Sequence, residues 1–132
     1  MNSQGCTPAI QAAGSASLSS AAPFHGLATN VLNQRTRLLF YGYAPLAAPF
    51  QGGFKYAADP VRRTALQNAG GTPSPTNDCS GEYVFDFNVL VQSGVDPQLV
   101  LGQRVVAQYC SRDPMSASTT GLTDAVQFHV LP

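Results

Sequence analysis

The segment "EYVFDFNVLV", residues 82–91, decides the fold class. Its apolar residues Tyr83, Phe85, Phe87, Val89 and Val91 fall on every second position, with Glu82, Asp86 and Asn88 between them. Successive side chains of an extended chain point to opposite faces, so this period predicts a half-buried antiparallel strand. The segment "DAVQFHVL", residues 124–131, repeats the pattern, with Val126, Phe128 and Val130 inward and Gln127 and His129 outward. Two runs, "RLLFYGY" at 37–43 and "RVVAQYCS" at 104–111, are more continuously apolar, as central strands covered on both faces would be. Weaker strand signals lie in "TPAIQAAG", "GLATNVL", "GFKYAA" and "RRTALQN".

Clusters of Gly, Pro, Ser and Asn separate these runs: "GSASLSSAAP", "APLAAPFQGG", "NAGGTPSPTND" and "SRDPMSASTTG". Closely spaced short strands with turn signals between them predict a sandwich rather than alternating βαβ units. The expectation is an all-β chain: a single antiparallel β-sandwich of about seven to nine strands filling residues 1–132 as one domain. Its core is expected to include Leu39, Tyr83, Phe85, Phe87, Val105, Val126, Phe128 and Val130, with Phe85→Ala costing about 3–5 kcal/mol. One short helical turn is expected at 96–101 in "SGVDPQLVLG", where Asp96 can cap, Pro97 suits the first helical position and Gly102 can end the turn.

Charged residues make up 11% of the chain, against roughly 25% in an average soluble protein. The surface must then be built largely from uncharged polar and small residues. Seven basic and seven acidic side chains cancel, which leaves no basic footprint for a phosphate backbone, so a nucleic-acid partner is not expected. No run of 18 apolar residues is present to span a membrane by a helix. The start "MNSQGCTPAI" has neither the basic nor the apolar region of a secretory signal, as in a cytosolic protein or a mature exported domain with an initiator Met1; the low charge and ten prolines favour the second.

Cys110, Asp113, Asp124 and His129 stand within twenty residues of one another, the composition of a nucleophile with its base and orienter. Cys110 nevertheless sits in an apolar run, where a thiol behaves as a small hydrophobe, and His129 lies on the polar face of its strand. No catalytic residue is assigned, and no cofactor is expected. Arg112 and Asp124 bracket a loop and are expected to close it as an ion pair. A calcium site built from Asp113 and Asp124 with Asn77 and Asp78 is the sharper alternative, although the carboxylates lack the short repeated spacing of calcium loops. Tyr41, Tyr43 and Tyr56 lie in an aromatic-rich third of the chain and are the candidate ligand-binding residues, for a surface glycan. Three cysteines leave one unpaired; Cys6 and Cys79, both in loop-like sequence, are the natural disulfide, with Cys110 a buried thiol.

Most of the chain, through "NSQGCTPAI", "NVLNQRTRLLFYGY", "NDCSGEYVFDFN", "AQYCSRDP" and "GLTDAVQFHVLP", resembles a β-rich module at the C-terminal end of large secreted proteins of planctomycetes and myxobacteria. The resemblance implies export and a cell-surface or matrix role, and carries over no catalytic residue. The chain departs from the module's pattern at Tyr56, where relatives place a cysteine, and at Cys110, where they tend to place an aromatic residue. The expected function is thus a non-catalytic extracellular structural or adhesive module. Carbohydrate binding is the second reading. Self-assembly by strand addition is the third, because "TPAIQAAG" and "GLATNVL" carry no charge to guard a sheet edge.

Overall fold

The computed structural model describes residues 2–50, 53–73, 75–112 and 120–132, the side chains of Arg112 and Thr120 aside. Among the described residues the order of elements is β1 (Ala9–Ala13), β2 (His25–Val31), β3 (Thr36–Gly42), β4 (Pro45–Phe50), β5 (Gly53–Ala57), β6 (Arg62–Arg63) and β7 (Gln67–Asn68), followed by β8 (Gly81–Asp86), α1 (Phe87–Ser93), β9 (Arg104–Arg112) and β10 (Thr120–His129). Ten strands exceed the expected seven to nine because β6 and β7 are edge fragments of two residues each. The chain is all-β and its strand pairs are antiparallel.

One sheet has the order β1-β2-β8; the other has the order β10-β9-β3-β6, with β7 also pairing with β3. Alternation along each strand builds the core between them. Leu39 and Tyr41 of β3 and Val105, Ala107 and Tyr109 of β9 meet Ile10, Ala28 and Tyr83 of the smaller sheet. The rings of Tyr83 and Tyr109 stack across this space at 5.0 Å between centroids. In β2 a register shift after Ala28, with Asn30 in the left-handed conformation (φ 57°), turns Val31 rather than Asn30 into the core.

The alternate residues of β3 and β9 are buried as well. Phe40, Val106 and Cys110 face the outer side of the large sheet and, with Ala57, form a second apolar cluster. The β4–β5 hairpin supplies the covering layer, and the fully buried Gln108 fixes it: its amide donates to the Phe54 carbonyl at 2.7 Å and accepts from the Tyr56 amide at 3.2 Å. β3 and β9 are thus covered on both faces, as their continuous apolar sequence predicts.

Three local expectations are corrected. The segment 82–91 is not one strand: β8 ends at Asp86, and Phe87 begins a helix. The Asp86 carboxylate caps it by accepting from the Asn88 amide at 3.0 Å, and Gly94 closes it in the left-handed conformation that glycine adopts without a Cβ clash (φ 74°). Val89 is consequently exposed and Asn88 buried, the reverse of the strand reading. The expected helical turn at 96–101 is a non-helical turn in which the Asp96 side chain accepts from the Gln98 amide at 3.0 Å, since an aspartate that bonds its own backbone two residues on favours a turn over a helix. "APLAAPFQGG", read as a connection, contains β4; it pairs with β5 alone among the described strands, and prolines are tolerated on such an edge.

The expected core residues all pack in the main cluster, but Phe85, Val126 and Phe128 are partly buried, whereas Phe87 is 1% exposed. Phe87 contacts the rings of Phe24, Phe85 and Phe128, with centroids 4.9 to 5.5 Å away. The largest truncation cost therefore belongs to Phe87 rather than Phe85. Among the described residues no helix is long and apolar enough to cross a membrane.

Candidate functional site

A partly buried polar constellation is built around Asp96. The alternation of β3 that sends Phe40 outward sends Tyr41 inward, and Tyr43 follows just beyond the strand on the same side. The turn after α1 brings Asp96 over them. Its Oδ2 accepts from the Tyr41 hydroxyl at 2.7 Å and from the Tyr43 hydroxyl, and Arg62 of β6 places Nε 3.5 Å away. Arg62 also donates to the Gln98 side chain at 2.7 Å, so the turn and β6 are fastened together. Burial would raise the Asp96 carboxyl, but bonds from Tyr43, Tyr41 and the Gln98 amide, with the Arg62 charge, bring it below the ordinary value of 3.8. Burial first, and then the Asp96 carboxylate, push Tyr43 up to about 12 and Tyr41 higher still.

A cleft of about 550 Å³ opens beside this cluster, with Tyr41, Asp96, Phe85 and Leu90 in its walls and Arg62 and Arg63 alongside. Both oxygens of the carboxylate accept from the protein's own donors. The arrangement is a fastener rather than a reacting group.

The three candidate tyrosines do not share a surface. Tyr41 and Tyr43 belong to the inner face of the large sheet and spend their hydroxyls on Asp96, while Tyr56 packs on the outer cluster under the hairpin. Cys110 and His129 are also kept apart. Cys110 pairs with Leu122 and His129 with Arg104, six residues further along β9, or about 20 Å at ~3.4 Å per residue. Burial raises the Cys110 thiol pKa, partly offset by Arg37, whose guanidinium donates to the sulfur at 3.3 Å.

Asp124 has a partner that the sequence reading did not name. Its carboxylate accepts from the backbone amide of Ile10 at 2.7 Å, tying β1 to β10; the Arg112 side chain lies outside the described residues. Asp113 of the calcium alternative also lies outside them. Asn77 accepts from Arg35 at 2.9 Å, and Asp78 is taken up by the Ser80 hydroxyl and amide. Among the described residues no group of three or more His, Cys, Asp or Glu is placed to hold a metal. Cys6 and Cys79 are joined by a disulfide, which anchors the N-terminal segment to the loop before β8. That segment is not a free arm: it is held by the disulfide, by pairing of β1 with β2, and by Asp124.

Two sets of organising residues escape a reading by motif. Asn88 and Gln92, four apart on one face of α1, hold the long connection from β1 to β2. The Asn88 side chain donates to the carbonyls of Ser15 and Ala22 and accepts from the Ser17 amide, and Gln92 donates to the carbonyls of Ser17 and Ser20. Asp96 is the other, and its signal in sequence is isolation: it is the sole charged residue between Asp86 and Arg104. No family model matches the chain, and no curated protein or solved structure matches it.

Proposed function

We propose that the chain is a non-catalytic structural or adhesive module that works outside the cell. One observation carries this reading: the fold has engaged its carboxylates. Asp59 pairs with Lys55, Asp78 holds a serine turn, Asp86 caps α1, Asp96 fastens two tyrosines, and Asp124 secures β1. Among the six acidic residues described, Glu82 alone is left at the surface with its side chain uncommitted. Groups so engaged maintain shape and are poorly placed to exchange protons with a substrate.

The Cys6–Cys79 disulfide supports an oxidising compartment, since such bonds persist in exported proteins and are rare where glutathione keeps thiols reduced. The low surface charge and the resemblance to C-terminal modules of secreted planctomycete and myxobacterial proteins point the same way. The test is retention. The domain, fused to a fluorescent protein, is expected to cosediment with insoluble extracellular polysaccharide and cell-wall material and to leave that material chemically unchanged. Depolymerisation of the bound material, or sedimentation no greater than that of the fluorescent protein alone, would overturn the proposal.

A further inference from the structure

A second cleft, of about 560 Å³, lies on the outer face of the large sheet at the end of the apolar cluster under the β4–β5 hairpin. Its volume falls in the range of roughly 300–1,000 Å³ that small-molecule sites occupy. Phe40 and Cys110 form a buried part of its lining, and Phe50 and Leu66, both exposed to solvent, form apolar walls. Three cationic side chains, Arg37, Lys55 and Arg63, reach the same cleft. The whole chain has seven such side chains and no net charge, so this concentration is a local feature and not the consequence of a basic protein.

The acceptors present do not balance these cations. Among the described residues Asp59 is the one carboxylate in the lining, and it is taken by Lys55 at 2.7 Å. Lys55 also lies over the Phe50 ring, 5.3 Å from its centroid, which joins the charged and aromatic parts of the wall. Among the described residues Arg37 has the Cys110 sulfur as its acceptor, a weak one for a guanidinium with five donors. No described residue accepts a hydrogen bond or forms an ion pair with the Arg63 side chain, whereas its neighbour Arg62 has Asp96 and Gln98. Among the described residues, the carboxylate of this cleft is thus spent on Lys55, and Arg63, which also borders the Asp96 cleft, has no anion of its own.

We infer that this second cleft binds a small carboxylate carried on a compact apolar or aromatic body, with the carboxylate between Arg37 and Arg63 and the body against Phe40, Phe50 and Leu66. A planar guanidinium matches a carboxylate by two parallel hydrogen bonds, and a half-apolar lining shields that pair from water. The ring of Phe50 and the side chain of Leu66 gain burial only when the body is seated. This inference goes beyond the module's proposed adhesive role and does not depend on it, because retention on a polymer requires no small ligand.

Calorimetric titration of the intact, disulfide-bonded chain with 2-naphthoate, and separately with the neutral 2-naphthamide, tests it at low salt. The carboxylate is expected to bind at least about tenfold more tightly than the amide, the factor that one charge-assisted hydrogen bond supplies. Arg63→Gln and Arg37→Gln are each expected to weaken 2-naphthoate about tenfold while leaving 2-naphthamide unchanged, again by the loss of one such bond. Arg104→Gln, which removes a charge from the start of β9 away from the cleft lining, is expected to change neither. Arg63 is exposed and unbonded, so its variant is expected to keep the wild-type melting temperature even if Arg37→Gln loosens the fold. Equal affinity for the two compounds, no heat of binding from 2-naphthoate, or an equal loss in Arg104→Gln overturns the inference.

Discussion

Replacing Asp96 tests whether the constellation over β3 is a structural fastener. In Asp96→Ala the Tyr41 hydroxyl, in a residue 3% exposed, loses its acceptor, which costs about 1–3 kcal/mol. Loss of the bond to the Gln98 amide adds about 1 kcal/mol. Tyr43 is half-buried and the Arg62 side chain 43% exposed; both recover solvent, so the ion pair adds no more than about 1 kcal/mol after screening. The expected total is about 3 kcal/mol, read as a lower urea midpoint at unchanged slope. Tyr41→Phe alone is expected to cost about 1 kcal/mol, and close to nothing in the Asp96→Ala background, because the hydroxyl no longer has a partner to lose. The dependence on pH follows in sign. The Asp96 pKa is depressed in the folded chain, so its contribution is complete above the ordinary value of 3.8 and is lost as pH falls through the lower folded value. Wild type and Asp96→Asn are therefore expected to differ in stability at neutral pH and to converge in acid. Tyr43 moves the other way: its pKa, raised from 10.0 to about 12, gives stability that is complete below 10.0 and lost as pH climbs toward 12. A loss below about 0.5 kcal/mol in Asp96→Ala, as for an ordinary surface change, with no coupling to Tyr41, would refute the reasoning.

Phe87→Ala is expected to cost about 3–5 kcal/mol and Phe85→Ala less, since Phe87 is buried and Phe85 only partly so; equal losses in thermal unfolding would argue against the packing described. Replacing both Cys6 and Cys79 by serine releases a link across 73 residues and is expected to cost about 4 kcal/mol by the chain-entropy relation, measured by urea unfolding under non-reducing conditions. Asp124→Ala leaves the Ile10 amide without its acceptor, for about 1–3 kcal/mol, and exposes the edge of β1, so light scattering is expected to show mass rising with concentration in this variant more than in wild type.

The parts of the fold that were legible in sequence are those where burial on one or both faces writes a pattern. In β9, Val105, Ala107 and Tyr109 face one cluster and Val106 and Cys110 the other, so the run is apolar throughout and reads as a central strand. The segment 82–91 misleads for a related reason. Period-two alternation continues through Phe87, Val89 and Val91, but only Phe87 and Val91 are buried, four residues apart as on a helix. What decides between the two readings is distant: Asn88 and Gln92 together hold the connection between β1 and β2, and a helix brings residues four apart within about 6 Å where a strand would hold them about 13 Å apart. Asp86 and Gly94, a cap at each end, were the local signal.

The clusters of polar side chains were less legible because their logic is pairing across the fold. Asp96 in "VDPQLVL" suggests a cap by residue type, yet its partners Tyr41, Tyr43 and Arg62 lie more than thirty residues earlier, and nothing in local spacing joins them. Asp124 likewise reads as a loop charge, and its bond to a backbone amide 114 residues away leaves no mark in local spacing. Gln108 does carry a warning in sequence, as a polar residue within "VVAQYC", and proves to be the group that satisfies both bonding groups of the hairpin strand laid over it. In a chain with 11% charged residues, isolation of a polar group inside an apolar run is thus the readable trace of a long-range bond. Arg63 is the converse case: its exposed charge borders an apolar cleft and no described side chain accepts from it, so it leaves no such trace of a long-range bond.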